Sequence, residues 1–257
     1  METKRGPEHV EGQNQKMRLV QIIRILFVLC VVAPLIGCSK DESFKEPDMI
    51  NPLEPQGNLV DPLEEIKDYY SVEFVDGMIN LGFEINLGNN PPDLEGSYAI
   101  DPFVMYASSV EGEEGLVGNS FKEYVMTFSN QDNGSRTLDY SGQGALEVDE
   151  GTGAFIIGNN GAFTMYTKAV SQIGNFTADI AVAVSGTLTA EGIENVQIYG
   201  AMLNDHGDPE NVYIENNKGR IFVDGDGLAS RQSSESGKQS KTQNSDRGWG
   251  FGIIYPN

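Results

Sequence analysis

The chain has 257 residues, 39% hydrophobic and 21% charged, with 30 Gly, 11 Pro and 2 Cys, a length that suits one compact domain with appendages or two small ones. Set against 38 Asp+Glu are 17 Lys+Arg, a net charge of -21. That balance argues against nucleic-acid binding and against docking on anionic lipid through a polybasic surface, and no helix-strand rhythm of a (β/α)₈ barrel is present.

Residues 17–38 place Arg18 and Arg24 ahead of an unbroken apolar run, Ile25 to Val32, and close on Leu35-Ile36-Gly37-Cys38. The run is broken by Pro34 and is shorter than the roughly 20 apolar residues a bilayer span needs. It reads as a signal-peptide core. The closing tetrapeptide resembles the lipobox of bacterial lipoproteins: Leu35, the permissive Ile36, the small Gly37, then Cys38. The resemblance implies that the Cys38 thiol is diacylglycerylated, that the bond before it is cut, and that the new amine is acylated. Two or more chains then anchor the protein stably, at roughly 0.8 kcal/mol per buried methylene. The alternative is an ordinary secretory signal in which Cys38 is incidental. Met17 opens a complete signal by itself, so the polar residues 1–16 add nothing that export requires.

Removal of 1–37 takes away five cations and three anions, leaving 220 residues with 12 cations against 35 anions, a net charge of -23. Cys30 leaves with the leader and Cys38 is consumed by lipid, so no thiol remains for a disulfide, a metal site or a nucleophile. Directly behind Cys38, Ser39-Lys40-Asp41-Glu42-Ser43 resembles the acidic surface-export signal of some Gram-negative lipoproteins, which implies the outer leaflet facing the medium. The periplasmic face is the alternative.

Residues 38–60, with Pro47, Pro52 and Pro55 and no apolar period, read as a tether of about 25 Å as a coil and up to roughly 70 Å drawn out. Asp61-Pro62-Leu63-Glu64 is a helix start, with an N-cap, Pro in the first position and Glu three after the cap. Leu63, Ile66 and Tyr70 give that short helix one buried stripe. Val72 and Phe74, the Asp76-Gly77 turn signal, and then Ile79, Leu81, Phe83, Ile85 and Leu87 in alternation predict a hairpin over 71–87.

Further strands are predicted at 94–106 (bent at Pro102), 121–129, 136–140, 144–148, 153–157, 162–170, 176–190, 195–203 and 219–223. In 176–190 the even positions Phe176 to Ala190 form one apolar face, while Thr177, Asp179, Ser185, Thr187 and Thr189 form a wet one. A strand of about 50 Å suits a tilted barrel with a kink at Gly186 better than a sandwich. The fold class is therefore all-β, an antiparallel barrel, with a β-sandwich as the second solution. The domain spans 61–228, and 229–257 is a polar tail with an apolar end, Trp249 to Tyr255.

Motifs for chemistry are sparse. Asp224-Gly225-Asp226-Gly227 lacks the third ligand of a calcium loop, because Leu228 stands there, and it reads as a turn. Asn204-Asp205-His206-Gly207-Asp208 reads as a hairpin loop, and His206 is the one His left after processing, which excludes a multi-His zinc site. No Gly-x-Ser-x-Gly elbow is present, and Gly151-Thr152-Gly153 has Ile156 where a phosphate cradle needs Gly. No catalytic residue, metal ligand or cofactor is assigned.

Leu94-Glu95-Gly96-Ser97-Tyr98, behind a short helix and opening a long strand, resembles the start of a lipocalin-like barrel, where Gly, one residue and an aromatic close the floor. The resemblance implies a late Arg partner for Tyr98, with Arg220 the candidate. The whole chain is similar to the surface lipoproteins of glycan-scavenging Gram-negative bacteria. The expected function is a non-enzymatic, lipid-anchored outer-membrane protein whose barrel binds a small ligand or glycan. The alternatives are a structural subunit docking through the 71–87 hairpin by edge pairing, and a hydrolase using surface carboxylates.

Overall fold

The computed structural model describes residues 61–233. The leader, the lipobox Leu35-Ile36-Gly37-Cys38, the tether and the stretch 234–257 lie outside the described residues.

The chain enters through α1 (Pro62–Tyr69). The Asp61 side chain caps it, accepting from the Leu63 N–H at 3.0 Å, and Ile66 is its fully buried residue. The predicted hairpin is instead a second helix, α2 (Val72–Asn80). Ser71 caps it by accepting from the Phe74 N–H at 3.2 Å, and Val75 and Met78, three apart, point into the core. The alternation from Ile79 to Leu87 is real but serves another purpose. Beyond Gly82 the chain lies extended on the outside of the sheet, burying Phe83. It is held there by Glu84 N–H to Gln197 Oε1 (2.8 Å) and Asn86 N–H to Thr164 Oγ1 (2.8 Å). Because the segment carries no strand ladder, edge pairing through a 71–87 hairpin has no structural basis.

The rest is one antiparallel sheet of eleven strands: β1 (Gly96–Ile100), β2 (Phe103–Ser108), β3 (Ser120–Phe121), β4 (Tyr124–Asp132), β5 (Thr137–Gln143), β6 (Glu147–Asn159), β7 (Ala162–Ile173), β8 (Phe176–Leu188), β9 (Gly192–Asn204), β10 (Gly219–Asp224) and β11 (Leu228–Arg231). Three pairs of these are interrupted single runs. β1 and β2 are separated by Asp101-Pro102, a cis peptide, β3 leads into β4, and the turn Asp224-Gly225-Asp226-Gly227 separates β10 from β11. β1 pairs with β4 while β2 pairs with β3. β9 pairs with β10 through Gln197–Ala201 and with β11 through Gly192–Glu194. β10 in turn pairs with β2, and β11 with β1. The path of neighbours thus returns on itself, and the pairings form a single ringed sheet rather than the two sheets of a sandwich. β11 also reaches into the stretch that composition assigns to the tail, and its Ala229 is fully buried.

Inside the ring the alternate residues make one core. Phe103 stacks on Phe222 at 4.4 Å and on Tyr124 at 5.3 Å, and Phe121 meets Phe222 edge-on at 5.7 Å, geometries that favour aromatic pairs beyond their burial. Met105, Met126, Met165 and Met202 fill the spaces between. Val110 and Leu116, from the β2–β3 connection, and Val212 to Ile214 pack over one end.

Outside the ring, Ile66, Val75, Met78 and Phe83 bury Ile157, Tyr166, Ala183, Tyr199, Ala201 and Ile221. The expected wet face of 176–190 is therefore dry in its middle, where Ala181 and Ala183 are buried and Ala183 packs in the helix-pair layer. The Tyr70 hydroxyl fastens this layer, sharing its proton between the Thr167 and Val182 carbonyls at 2.7 and 2.8 Å. The kink expected at Gly186 is present as a register break between Ser185 and Thr187. A Cβ at Gly186 would stand 2.6 Å from Ile193 Cγ2.

Candidate functional site

Two polar sites break the apolar pattern, one inside the ring and one outside it. The inner one lies at the end capped by Tyr213. Glu147 and Asp149, two apart on β6, both face inward and are 1% and 0% exposed. Ser171 on β7 donates to Glu147 Oε1 at 2.7 Å. Tyr124 on β4 donates to Asp149 Oδ2 at 2.7 Å, and Tyr140 on β5 lies 2.7 Å from the Tyr124 hydroxyl. Since the Tyr124 proton is directed at Asp149, Tyr140 donates to Tyr124. Asp149 Oδ1 is buried without a hydrogen-bond partner. Burial, against the relief given by Tyr124 and Ser171, pushes the Asp149 carboxyl up to about 6. The same burial, reinforced by Asp149, raises both tyrosines well above their ordinary value. At the same end Arg220 is buried in an ion pair with Glu113, donating from Nε to Oε2 at 2.9 Å.

The outer site forms where β9 changes neighbours. Between its contacts with β10 and β11, β9 passes Asn195, held at φ 51° with its N–H on the Gly227 carbonyl (3.0 Å). The break at Gly186 shifts β8 at the same level. The splay leaves an open groove of about 440 Å³, lined among others by Glu84, Asn86, Ser185, Thr187, Asn195 and Gln197, with Val223, Asp224 and Gly227 at the ring's closing turn. Asp224 is largely committed to that turn: its Oδ1 accepts from the N–H groups of Asp226 and Gly227 and its Oδ2 from that of Asp101. Burial raises its pKa, while hydrogen bonds from Asp224 and Leu228 lower that of Asp226. Asp224-Gly225-Asp226-Gly227 is the turn that its sequence predicts. The groove carries no sequence signal, because its residues come from four separated stretches.

The expected Arg partner of Tyr98 is corrected. Arg220 belongs to Glu113, and Arg231 of β11 occupies the place beside Tyr98. Its guanidinium sits 4.9 Å from the ring centroid, donates from Nη2 to the Tyr98 hydroxyl at 2.6 Å, and donates from Nη1 to the Glu95 carbonyl at 3.0 Å. His206 stands exposed, 3.4 Å from Asp179. Among the described residues no three His, Cys, Asp or Glu side chains gather as a metal site would require, and no helix is long and apolar enough to cross a membrane. Cys38 lies outside the described residues. No family model, curated protein or solved structure matches the chain.

Proposed function

We propose that the protein is a lipid-anchored lipoprotein of the Gram-negative outer membrane, exposed at the cell surface, whose lipocalin-like barrel binds a small ligand or glycan without catalysing its conversion. The observation that carries the location is the sequence Leu35-Ile36-Gly37-Cys38 closing an apolar run, followed by a proline-rich tether and then the folded domain. The barrel type is supported by the returning path of strand pairings and by Gly96-Ser97-Tyr98 with Arg231 over the aromatic ring.

The aromatic and Met side chains that fill the described interior move the ligand to the outside. There the groove at the β9 fork offers polar groups in a concave setting, and its 440 Å³ falls within the range of about 300–1,000 Å³ common to small-molecule sites. A partner-binding role has its own observation: Leu146, Val148 and Val170 are exposed apolar residues of the β6–β7 region that the helix pair does not cover.

The test is Cys38→Ala followed by membrane fractionation and mass spectrometry of the wild-type N-terminus. The expected result is a diacylated, amine-acylated Cys38 in the membrane fraction and a variant that moves to the soluble fraction. An unmodified thiol, or a variant that stays with the membrane, overturns the reading.

A further inference from the structure

We infer that the groove at the β9 fork is a saccharide subsite, in which Glu84, Ser185, Thr187 and Asn195 bind the hydroxyls of a neutral sugar. The inference rests on the ligand-binding reading above and names its chemical class and its residues. The side chains of these four residues have no hydrogen-bond partner among the described residues, although all line one concavity and Ser185 is only 2% exposed. Their neighbours are spent on the fold. Gln197 accepts from the Glu84 N–H and donates to the Gly82 carbonyl, and Asn86 donates to the Phe163 carbonyl. What remains is one carboxylate acceptor, two hydroxyls and one carboxamide. The latter three can each donate and accept.

That set selects among ligand classes. A pyranose carries adjacent hydroxyls, each a donor and an acceptor, and a carboxylate beside an amide and hydroxyls can satisfy both roles. An anionic ligand meets Glu84 and Asp224 with no Lys, Arg or His among the lining residues. A polyamine would need several free carboxylates, whereas Asp224 is engaged by three backbone N–H groups and Glu84 stands alone. An apolar ligand finds little beyond Val223 and the buried Val196. A flat hydrocarbon face for the C–H side of a sugar is close by. Tyr106 is 50% exposed and its ring packs against Gly82, whose carbonyl accepts from the groove residue Gln197.

The experiment is calorimetric titration of the full chain, purified in detergent micelles, with five neutral trisaccharides: maltotriose, cellotriose, xylotriose, mannotriose and chitotriose. The expected result is one-to-one binding of at least one of them. Affinity should fall ten-fold or more in the double variant Thr187→Val/Asn195→Ala and stay within two-fold of wild type in Val148→Ser, with circular dichroism unchanged in both. Absence of binding by all five at millimolar concentration overturns the inference, as does preferential binding of spermidine. Binding that ignores the double variant overturns the groove while leaving a ligand-binding protein. None of these outcomes bears on Cys38, so the failure of the subsite and the failure of the anchored-lipoprotein reading are told apart.

Discussion

The Arg231 guanidinium lies over the Tyr98 ring at 4.9 Å and also donates to the hydroxyl of that ring at 2.6 Å. This joins β11, the last described strand, to β1, the first, at the seam where the sheet meets itself. Tyr98 is fully buried and passes its own proton to the Leu94 carbonyl at 2.9 Å, so the Arg231 contact satisfies the oxygen's accepting side. Gly96 is part of the same construction. Its φ is 137°, and a Cβ there would come within 2.8 Å of Arg231 Nη1.

Arg231→Lys keeps the charge but loses the planar fork that reaches Glu95 and Tyr98 together. Urea unfolding should show a loss of about 1–3 kcal/mol for Arg231→Lys, and at least as much for Arg231→Ala. Gly96→Ala should also destabilise, through backbone conformation and through collision with the guanidinium. If the collision matters, the double variant Gly96→Ala/Arg231→Ala will cost less than the two single changes together. Strict additivity would show that the two residues act independently.

The helix layer should be removable as a unit. Val75 and Met78 are the fully buried residues of α2, and Tyr70 bonds to the backbone of both β7 and β8. Met78→Ala is expected to cost about 2–5 kcal/mol, and Tyr70→Phe about 1 kcal/mol or somewhat more, because two carbonyls lose a shared donor. Hydrogen exchange should quicken in 62–90 and at the β7–β9 amides beneath the helix pair, while β4 and β5 keep their protection. Uniform loss of protection would mean that the helices and the ring fold as one cooperative body.

How far the sequence discloses this structure follows from which interactions are periodic. Most strands are legible because water on one side and core on the other impose a period of two, as in Tyr124, Met126 and Phe128. The Val72–Asn80 helix is hidden because its apolar residues, read singly, also fit alternation. The distinguishing signals are the Ser71 cap and the three-residue step from Val75 to Met78. At the start of β6 the pattern is inverted, with Leu146 and Val148 outward and exposed while Glu147 and Asp149 face the core, so polarity misreports the inner face. Arg231 lies at the edge of a polar, low-complexity stretch, and only the pairing of β11 with β1 reveals its partner. The groove is the least legible feature. Glu84, Ser185 and Asn195 meet because β8 loses register at Gly186 and β9 divides its edge between two strands.

The arrangement around Asp149 makes a prediction about pH. Its carboxyl is fully buried, faces Tyr124 from β4, Tyr140 from β5, Glu147 from its own strand and Ser171 from β7, and is pushed up to about 6 from 3.8. The folded state therefore holds this proton more tightly than the unfolded chain. The stabilisation from the proton is complete below the unfolded value, near pH 4, and is lost as the pH rises through about 6. By linkage the loss amounts to about 3 kcal/mol by pH 7.5. Asp149→Asn keeps an oxygen to accept from Tyr124 and supplies an N–H where Oδ1 has no partner, with no charge to desolvate. Denaturant titrations of wild type and Asp149→Asn at pH 4.5 and pH 7.5 should show the variant gaining relative to wild type by about 2 kcal/mol between the two conditions, the remainder being lost already between pH 3 and pH 4.5. A stability difference that does not change with pH would mean that Asp149 is ionised throughout and that its charge is balanced within the fold.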